Sequence, residues 1–297
     1  MPGARGTVRG IVRTLRPAQW VKNVFVAAPI VFARHLEDTA YLWREAVAVL
    51  AFCLLSGAVY AFNDVHDVAA DRAHPTKRNR PIASGQLSER GGLALSAGLT
   101  IASLGACFAL RWQLGVWATL YAAQNVAYSL KLKHVAFVDV TLLASGFILR
   151  VLAGAAAIDV PASGWLLACT ALLALLLGLG KRAHELAWAQ GHGDPGATRA
   201  ALSGYRLPVV RVAMIVLAVA ATASYVAYTQ DAHTVELFGT RDLVYSSPFV
   251  ALGILRFLSL ALWRPRLDSP TDAMLRDPWF LVDLAAATAT VLYIIYG

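Results

Sequence analysis

The chain has 297 residues, of which 58% are hydrophobic and 15% are charged, and its mean hydropathy is +0.57. A water-soluble domain of this length needs a more polar surface, so the composition excludes an ordinary soluble protein and indicates a membrane protein. The formal net charge of +8 would suit nucleic-acid binding, but the basic residues are distributed as in a membrane protein, so no nucleic-acid partner is expected.

Apolar segments recur along the whole sequence and predict about nine transmembrane helices. At a rise of about 1.5 Å per residue, all but one are long enough to cross a hydrocarbon core of roughly 30 Å. The exception is the shorter first segment, which contains Pro29. The predicted fold class is therefore all-α, with one polytopic membrane domain over 1–297. The predicted spans are 23–33, 46–63, 91–110, 112–130, 140–158, 163–180, 212–230, 243–263 and 279–297.

Basic residues are distributed unevenly between the two sides of this topology. Assigning alternate connections to alternate sides places 20 Lys and Arg residues on one side and 4 on the other, with Arg150 and Arg256 inside spans. Cytoplasmic loops carry the excess of Lys and Arg, so the N-terminus and the richer loops are predicted to be cytoplasmic. The C-terminus is then outside, and the expected location is the inner (plasma) membrane of a bacterium.

The segment Arg16–Asn23 precedes the first predicted span and is typical of a membrane interface. Trp20 is the candidate interfacial anchor. Lys22 and Asn23 follow it and could face the cytoplasmic mouth of the helix bundle.

Three aspartates lie at the cytoplasmic end of the second span. Asp64, Asp67 and Asp71 have the spacing i, i+3 and i+7, so they would share one face of a helix, and Asn63 lies one turn before Asp67. Neighbouring carboxylates repel one another and need a compensating cation at the edge of a membrane. Magnesium binds through a few carboxylates together with substrate phosphates. The sequence therefore predicts a Mg²⁺ site at these four residues, with the aspartates as catalytic residues.

A basic loop follows the aspartates. Pro75 is predicted to end the helix, and Lys77, Arg78 and Arg80 come next. These cations could bind phosphate oxygens that magnesium does not cover. The alternative is that the acids form a solvated helix end and the basic residues only set the topology.

A second polar group lies between residues 125 and 150. Lys131 and Lys133 occupy a predicted cytoplasmic turn, and Tyr128, one turn earlier, is either a site residue or an interfacial tyrosine. Asp139 begins the next span, and Arg150 lies about three helical turns later on the same face. An arginine near mid-span should meet an anion, which is either a protein carboxylate in a structural ion pair or the phosphate of a lipid.

These motifs resemble the UbiA-type superfamily of intramembrane prenyltransferases over most of the chain. Asn63-Asp64-x-x-Asp67-x-x-x-Asp71 is similar to its first aspartate-rich motif, and the stretch from Tyr128 to Asp139 is similar to the region of its second. The resemblance implies a helical bundle around a central cavity that opens to the cytoplasm, with a lateral opening for a lipid tail. In prenyl-transferring members the second motif usually carries a pair of acids, whereas only Asp139 stands here.

Within that superfamily the chain resembles a narrower branch, the polyprenyl-phosphate (decaprenyl-phosphate) phosphoribosyltransferases. The resemblance lies in Arg16–Asn23, in the run from Asp71 to Gly85, and in Lys181-Arg182-x-x-Glu185. It implies Mg²⁺-dependent transfer of 5-phosphoribose from phosphoribosyl pyrophosphate to a polyprenyl phosphate, with release of pyrophosphate, for cell-wall arabinan synthesis. The expected substrate-binding residues are Lys22, Asn23, Asn63, Arg72, Lys77, Arg78, Arg80, Tyr128, Lys131, Lys133, Asp139, Arg150, Lys181, Arg182 and Glu185.

Two other functions stay open at this point. A prenyltransferase acting on an aromatic or glycerophosphate acceptor would also release pyrophosphate, so only a labelled donor separates it from a phosphoribosyltransferase. A transporter for a lipid-linked or phosphorylated solute would use Arg150 as a gating charge, but the acids cluster at one mouth and not at mid-membrane. The sequence does not determine the oligomeric state, and a homo-oligomer is compatible with it.

Overall fold

The structure, a computed structural model, describes residues 4–192, 200–262 and 270–297. Every regular element in these residues is helical, which confirms the predicted all-α class. Arg199, Arg264 and Arg266, which the charge count assigned to cytoplasmic loops, lie outside the described residues. The α-helices are α1 (Ala4–Leu15), α2 (Val24–Phe32), α3 (Thr39–His66), α4 (Val68–Ala73), α5 (Glu89–Leu110), α6 (Trp112–Leu130), α7 (Val138–Ile158), α8 (Gly164–His192), α9 (Leu207–Gln230), α10 (Ala232–Phe238), α11 (Ser247–Leu262), α12 (Pro270–Met274) and α13 (Pro278–Tyr296).

Seven helices in the described part of the chain are long and apolar enough to cross a membrane, so the protein is a multi-pass membrane protein. They are α3, α5, α7, α8, α9, α11 with the short turn before it, and α13. Helix α6 has 19 residues, but Gln113, Gln124 and Asn125 lower its hydropathy. Helix α2 has 9 residues, so it is only about 14 Å long and does not cross the hydrocarbon core alone. Each predicted span overlaps a helix, and the count of nine stays a prediction.

The backbone divides into two compact units. The first comprises the residues up to Leu132 together with Gly146–Ala162, and the second comprises Lys133–Ser145 together with the residues from Ser163 onward. The change from one unit to the other falls inside α7. A single domain over 1–297 stays a prediction.

The core of the first unit is formed mainly by α2, α3, α6 and the second part of α7. Buried Phe52, Leu114 and Tyr121 belong to it. Lipid tails are as apolar as these side chains, so close packing and interhelical hydrogen bonds stabilise such a core. One such bond joins α5 to α3, where the Ser96 hydroxyl donates to the carbonyl of Ala58 at 2.8 Å.

The core of the second unit is formed by α8, α9 and α11. Leu176, Met214 and Phe257 are buried within it. A bidentate ion pair adds to this packing, because the Arg256 guanidinium in α11 donates to both carboxylate oxygens of Asp277 at 3.0 and 2.7 Å. Asp277 also caps α13 by accepting from the Phe280 N–H at 3.0 Å. The one charge that sequence analysis placed inside the 243–263 span therefore has a carboxylate partner.

Gly154 lies where α7 approaches α2 so closely that a side chain has no room. A Cβ atom at this position would overlap the backbone carbonyl of Val26 and lie against a carboxylate oxygen of Glu45. Small residues permit such approaches between helices in a membrane. The glycine is needed here for space.

We predict that Gly154→Ala lowers the thermal stability of the detergent-purified protein. The added methyl group must displace α2 from α7, which costs about 1–3 kcal/mol in comparable overpacked sites. Gly98→Ala is the matched control, because nothing lies within 4 Å of a Cβ atom there and alanine favours the helix. Equal unfolding temperatures for the two variants would contradict the close approach of α2 and α7.

Candidate active site

The aspartate motif lies at a break between two helices. Helix α3 ends at His66 and α4 begins at Val68, so Asp67 is the non-helical residue that joins them. The prediction of one continuous helix through all three aspartates is therefore wrong at Asp67. The interruption is local, because the Asp67 N–H still donates to the Asn63 carbonyl and the Asp71 N–H to the Asp67 carbonyl, at 2.9 and 2.8 Å.

Asp64 and Asp71 are both buried, and two arginines bind them. Arg80 Nη1 donates to Asp64 Oδ1 at 3.2 Å and to Asp71 Oδ2 at 2.7 Å. Arg16 Nη2 donates to the same Asp64 oxygen at 2.5 Å. Removing one partner from a buried ion pair typically costs about 3–5 kcal/mol, so these contacts hold the loop of Arg80 and the segment after α1 onto the end of α3.

Arg16 has an unusual backbone conformation. Its φ of 50° and ψ of 63° lie in the left-handed region, and Pro17 follows it. A non-glycine residue in this region costs on the order of 1–3 kcal/mol and persists where its surroundings hold it. Here the guanidinium lies over the ring of Tyr60, 4.9 Å from the centroid, on its way to Asp64. Strain of this kind is typical of functional sites.

Two buried oxygens beside this cluster have no hydrogen-bond partner among the described residues. They are Asp64 Oδ2 and Asn63 Oδ1. Hard oxygen donors of this type fit Mg²⁺, which usually binds through one or two carboxylates and completes its shell with water and phosphate. Within 4–192, 200–262 and 270–297, no three His, Cys, Asp or Glu side chains form a metal-binding group by themselves. The two partnerless oxygens, Asp64 Oδ2 and Asn63 Oδ1, are donors of the type that Mg²⁺ binds.

The remaining basic residues of the loop point in different directions. Arg72 donates to the Ala83 carbonyl and to Glu89, at 3.3 and 3.0 Å, and is exposed. Arg78 is exposed, and Lys77 is half-buried with its backbone N–H directed to His74 Nδ1. The structure thus brings Arg80 to the acids and leaves Arg72 in a surface ion pair.

Arg150 forms a second polar centre in the first unit. Its guanidinium donates to Asn23 Oδ1 at 2.9 Å, to the Gly146 carbonyl at 3.0 Å and to the Tyr121 hydroxyl at 2.7 Å. It also lies over the rings of Tyr121 and Phe147. These partners are all neutral, and no carboxylate contacts Arg150 in the described residues. The structural ion pair considered for Arg150 is not found there.

Asp139 and Arg182 belong to a buried cluster in the second unit. Asp139 Oδ1 accepts from the Tyr205 hydroxyl at 2.6 Å, and its other oxygen lies 3.5 Å from Arg182 Nε. Arg182 also donates to Glu185 at 2.5 Å. The Tyr205 hydroxyl accepts in turn from the Phe137 N–H at 2.7 Å. Burial and the hydrogen bond to Asp139 raise the pKa of Tyr205, so it stays a protonated donor.

Burial limits what this cluster can do. Asp139 and Arg182 are 0% exposed, whereas Glu185 is partly exposed. Asp139 Oδ2 and Arg182 Nη2 have no hydrogen-bond partner in the described residues. In the structure these side chains hold one another in place. Substrate binding by Asp139, Arg182 and Glu185 stays a prediction.

The other predicted site residues lie at the ends of helices. Lys22 is half-buried and directly precedes Asn23. Tyr128 is half-buried near the end of α6, where the exposed Lys131 follows it. Half-buried Lys133 and Lys181 belong to the second unit. The structure does not assign a ligand to any of them.

Sequence reasoning missed three residues that carry these contacts. Arg16 was assigned to an interfacial segment. Its position, directly before a proline and close to the first span, was a sequence signal that it could contact the acids at the mouth of the bundle. Tyr121 lies in an uncharged span, and Tyr205 lies far along the chain from Asp139, so neither had a local signal.

A family profile decides the classification. The UbiA prenyltransferase family matches residues 24–281. The chain belongs to the UbiA prenyltransferase family. The family match spans both aspartate-bearing regions, Asn63–Asp71 and the segment around Asp139.

Two relatives in this family carry the same name. The decaprenyl-phosphate phosphoribosyltransferase of Mycolicibacterium smegmatis is 37% identical over 228 residues, which is 75% of this chain and 70% of the relative. The decaprenyl-phosphate phosphoribosyltransferase of Mycobacterium tuberculosis is 34% identical over 295 residues, which is 96% of this chain and 93% of the relative.

Solved structures share the fold of this UbiA-family chain. A UbiA homologue from Archaeoglobus fulgidus bound to GPP and Mg²⁺ superposes with a TM-score of 0.73, covering 97% of this chain and 100% of the homologue, at 16% identity. The same homologue bound to DMAPP and Mg²⁺ superposes with a TM-score of 0.72. At this identity the likeness establishes the fold.

We predict that Tyr205→Phe destabilises this UbiA-family chain. The change removes a donor from the buried Asp139 carboxylate and an acceptor from the Phe137 N–H, and leaving such groups unpaired costs about 1–3 kcal/mol. Thermal unfolding in detergent measures the effect. Tyr245→Phe is the matched control, since Tyr245 is 67% exposed. Equal unfolding temperatures for the two variants would show that the Tyr205 hydroxyl is not essential to the cluster.

Proposed function

We propose that the chain is a polyprenyl-phosphate phosphoribosyltransferase, which transfers 5-phosphoribose from phosphoribosyl pyrophosphate to a polyprenyl phosphate such as decaprenyl phosphate. The observation that supports this most is the match to the M. tuberculosis decaprenyl-phosphate phosphoribosyltransferase across nearly the whole of both chains. The product would be a precursor for cell-wall arabinan. The prediction of an N-terminus and active site in the cytoplasm of a bacterium belongs to the same proposal.

The donor would bind at the end of α3. Asp64, Asp67 and Asp71, with Asn63, would hold Mg²⁺ against the pyrophosphate of the donor. The partnerless oxygens of Asp64 and Asn63 support this assignment. Arg80 contacts two of these carboxylates and therefore lies beside the proposed donor site. A change of its side-chain rotamer could direct the guanidinium to phosphate oxygens of the donor.

The reaction exchanges one bond at the anomeric carbon of ribose for another. An oxygen of the lipid phosphate forms the new bond to this carbon, the bond to the pyrophosphate oxygen breaks, and pyrophosphate leaves with the electron pair. Bound magnesium would supply charge neutralisation that makes pyrophosphate a better leaving group. The lipid phosphate is already anionic at neutral pH, so the chain need not provide a general base. Positioning and electrostatic stabilisation are then the main tasks of the protein.

The lipid phosphate would bind to cations apart from the aspartates. Lys22, Lys131, Lys133 and Arg150 are the candidates. Arg150 is supported by its surroundings, because a buried guanidinium with only neutral partners keeps a positive charge that an anion would balance. The prenyl tail would then lie among apolar helices.

A prenyltransferase acting on a prenyl diphosphate is the second candidate. The family match supports it, as do the A. fulgidus homologue structures with GPP or DMAPP and Mg²⁺. Both candidates release pyrophosphate, so the group that reaches the acceptor distinguishes them.

We predict Mg²⁺-dependent transfer of label from phosphoribosyl pyrophosphate to an organic-soluble product when the purified protein is given a polyprenyl phosphate in detergent. Chelation with EDTA should abolish the transfer, and excess Mg²⁺ should restore it. Scintillation counting of the organic phase measures the product.

A different outcome would move the protein to the second candidate. If label instead passes from a prenyl diphosphate to an aromatic or glycerophosphate acceptor, and none passes from phosphoribosyl pyrophosphate, the phosphoribosyl assignment is wrong. Solute transport into vesicles without turnover would contradict both enzyme assignments.

We predict that Asp67→Asn abolishes transfer and leaves the protein folded. The substitution keeps the size of the side chain and removes a negative charge that magnesium needs. Asp159→Asn is the matched control, because Asp159 is exposed and pairs with Arg111 outside the motif. Transfer rates and unfolding temperatures should be compared for both variants. An active Asp67→Asn protein would contradict the magnesium site.

A further inference from the structure

A polar cavity of about 190 Å³ lies beside Asp64 in the first unit. Pockets that enclose a whole small-molecule ligand usually measure about 300–1,000 Å³, so this cavity suits one charged group of a larger molecule. Three guanidinium groups line it, and Pro81 is its one apolar lining residue. The lining residues are Arg13, Arg16, Asp64, Thr76, Asn79, Arg80 and Pro81.

The arginines of this cavity carry more positive charge than the single carboxylate in its lining. Arg16 and Arg80 share Asp64 Oδ1, and Arg80 also contacts Asp71. Arg13 donates only to neutral oxygens, the Gln86 side chain at 3.4 Å and the Asn79 carbonyl at 3.2 Å. In the described part of the chain Arg13 therefore has no carboxylate partner, and its charge is available to an anion.

The chemistry of the lining selects among anions. Forked guanidinium groups with nearby hydroxyl and amide groups match the oxygens of a phosphate. A lipid phosphate would bring an apolar chain into a cavity lined almost entirely by polar residues. A pyrophosphate held by magnesium would lie at Asp64, Asp67 and Asp71, of which Asp64 alone lines this cavity. Arg13 donates to Gln86 and to the Asn79 carbonyl and contacts none of these three aspartates. The remaining group is a phosphate monoester on a polar carrier such as a sugar.

We propose that this cavity binds the phosphate monoester of the donor's ribose and that Arg13 is a specificity-determining residue. The inference rests on the proposed phosphoribosyl transfer and extends it. A prenyl diphosphate carries no phosphate group apart from its diphosphate, so occupation of this cavity separates the two candidate donors. Because this phosphate does not react, its binding energy serves to orient the ribose for attack.

The test compares Arg13→Gln with Arg9→Gln in the full-length protein in detergent with Mg²⁺. Both residues lie on α1, both are exposed, and each substitution removes one positive charge, but Arg9 does not line the cavity. The transfer assay gives the KM for phosphoribosyl pyrophosphate. It also gives inhibition constants for three probes, namely ribose 5-phosphate, pyrophosphate and farnesyl phosphate.

Arg13→Gln should raise the KM and the inhibition constant for ribose 5-phosphate roughly tenfold, as expected for losing a hydrogen bond to a charged group. Inhibition by pyrophosphate and farnesyl phosphate should stay as in the wild type, which also shows that the variant is folded. Arg9→Gln should match the wild type throughout.

The experiment distinguishes failure of the proposed function from failure of the cavity assignment. A wild-type protein that transfers nothing from phosphoribosyl pyrophosphate overturns the proposed function and this assignment with it. If transfer occurs but ribose 5-phosphate inhibits Arg13→Gln and Arg9→Gln equally, or does not inhibit at all, only the cavity assignment is overturned. A selective loss of pyrophosphate or farnesyl phosphate inhibition in Arg13→Gln assigns the cavity to that phosphate and overturns the sugar-phosphate assignment.

Discussion

The buried carboxylate of Asp64, at the end of a membrane-spanning helix, is the point on which the first unit's polar structure depends. The group is 1% exposed, so its charge needs partners in the protein. Arg16 and Arg80 supply them at one oxygen. For Arg16 to reach Asp64, its backbone adopts a strained left-handed conformation directly after α1. The loop after α4 folds back toward α3, so that Arg80 also reaches Asp64. The other oxygen of Asp64 has no hydrogen-bond partner among the described residues, so it is the oxygen that the proposed magnesium site would use.

Among the described residues, the two buried arginines illustrate different ways of placing a guanidinium in a membrane protein. Arg182 lies near Asp139 and binds Glu185, so its charge is balanced within the second unit. Within the part of the chain that the structure describes, Arg150 is bound by neutral oxygens and aromatic ring faces and by no carboxylate. A neutral hydrogen-bond shell fixes the orientation of a cation without cancelling its charge. Arg150 is therefore positioned to attract an anion, whereas Arg182 is positioned to hold the cluster around Asp139.

Local patterns were sufficient for features that depend on neighbouring residues. Long apolar segments, most of them uncharged, located the long helices, because the bilayer imposes length and hydropathy on each one separately. Asp64 and Asp71, which the i, i+7 spacing placed on one face, do lie close enough together to contact the same arginine, Arg80. Spacing did not reveal the helix break at Asp67. The family resemblance grouped Arg72 with the site, and in the structure Arg72 pairs with Glu89 at the surface.

The sequence by itself determined the membrane class, the positions of the helices and the acidic motif, because composition and short-range spacing carry that information. Only the tertiary structure decided which cations meet which anions. Arg16 reaches Asp64 across 48 residues, and Tyr205 reaches Asp139 across 66. Such pairs produce no periodic pattern in the sequence, because long-range contacts arise from the packing of whole helices. The three arginines around the cavity come together for the same reason: Arg13 lies in α1, Arg16 directly follows α1, and Arg80 lies in the loop before α5.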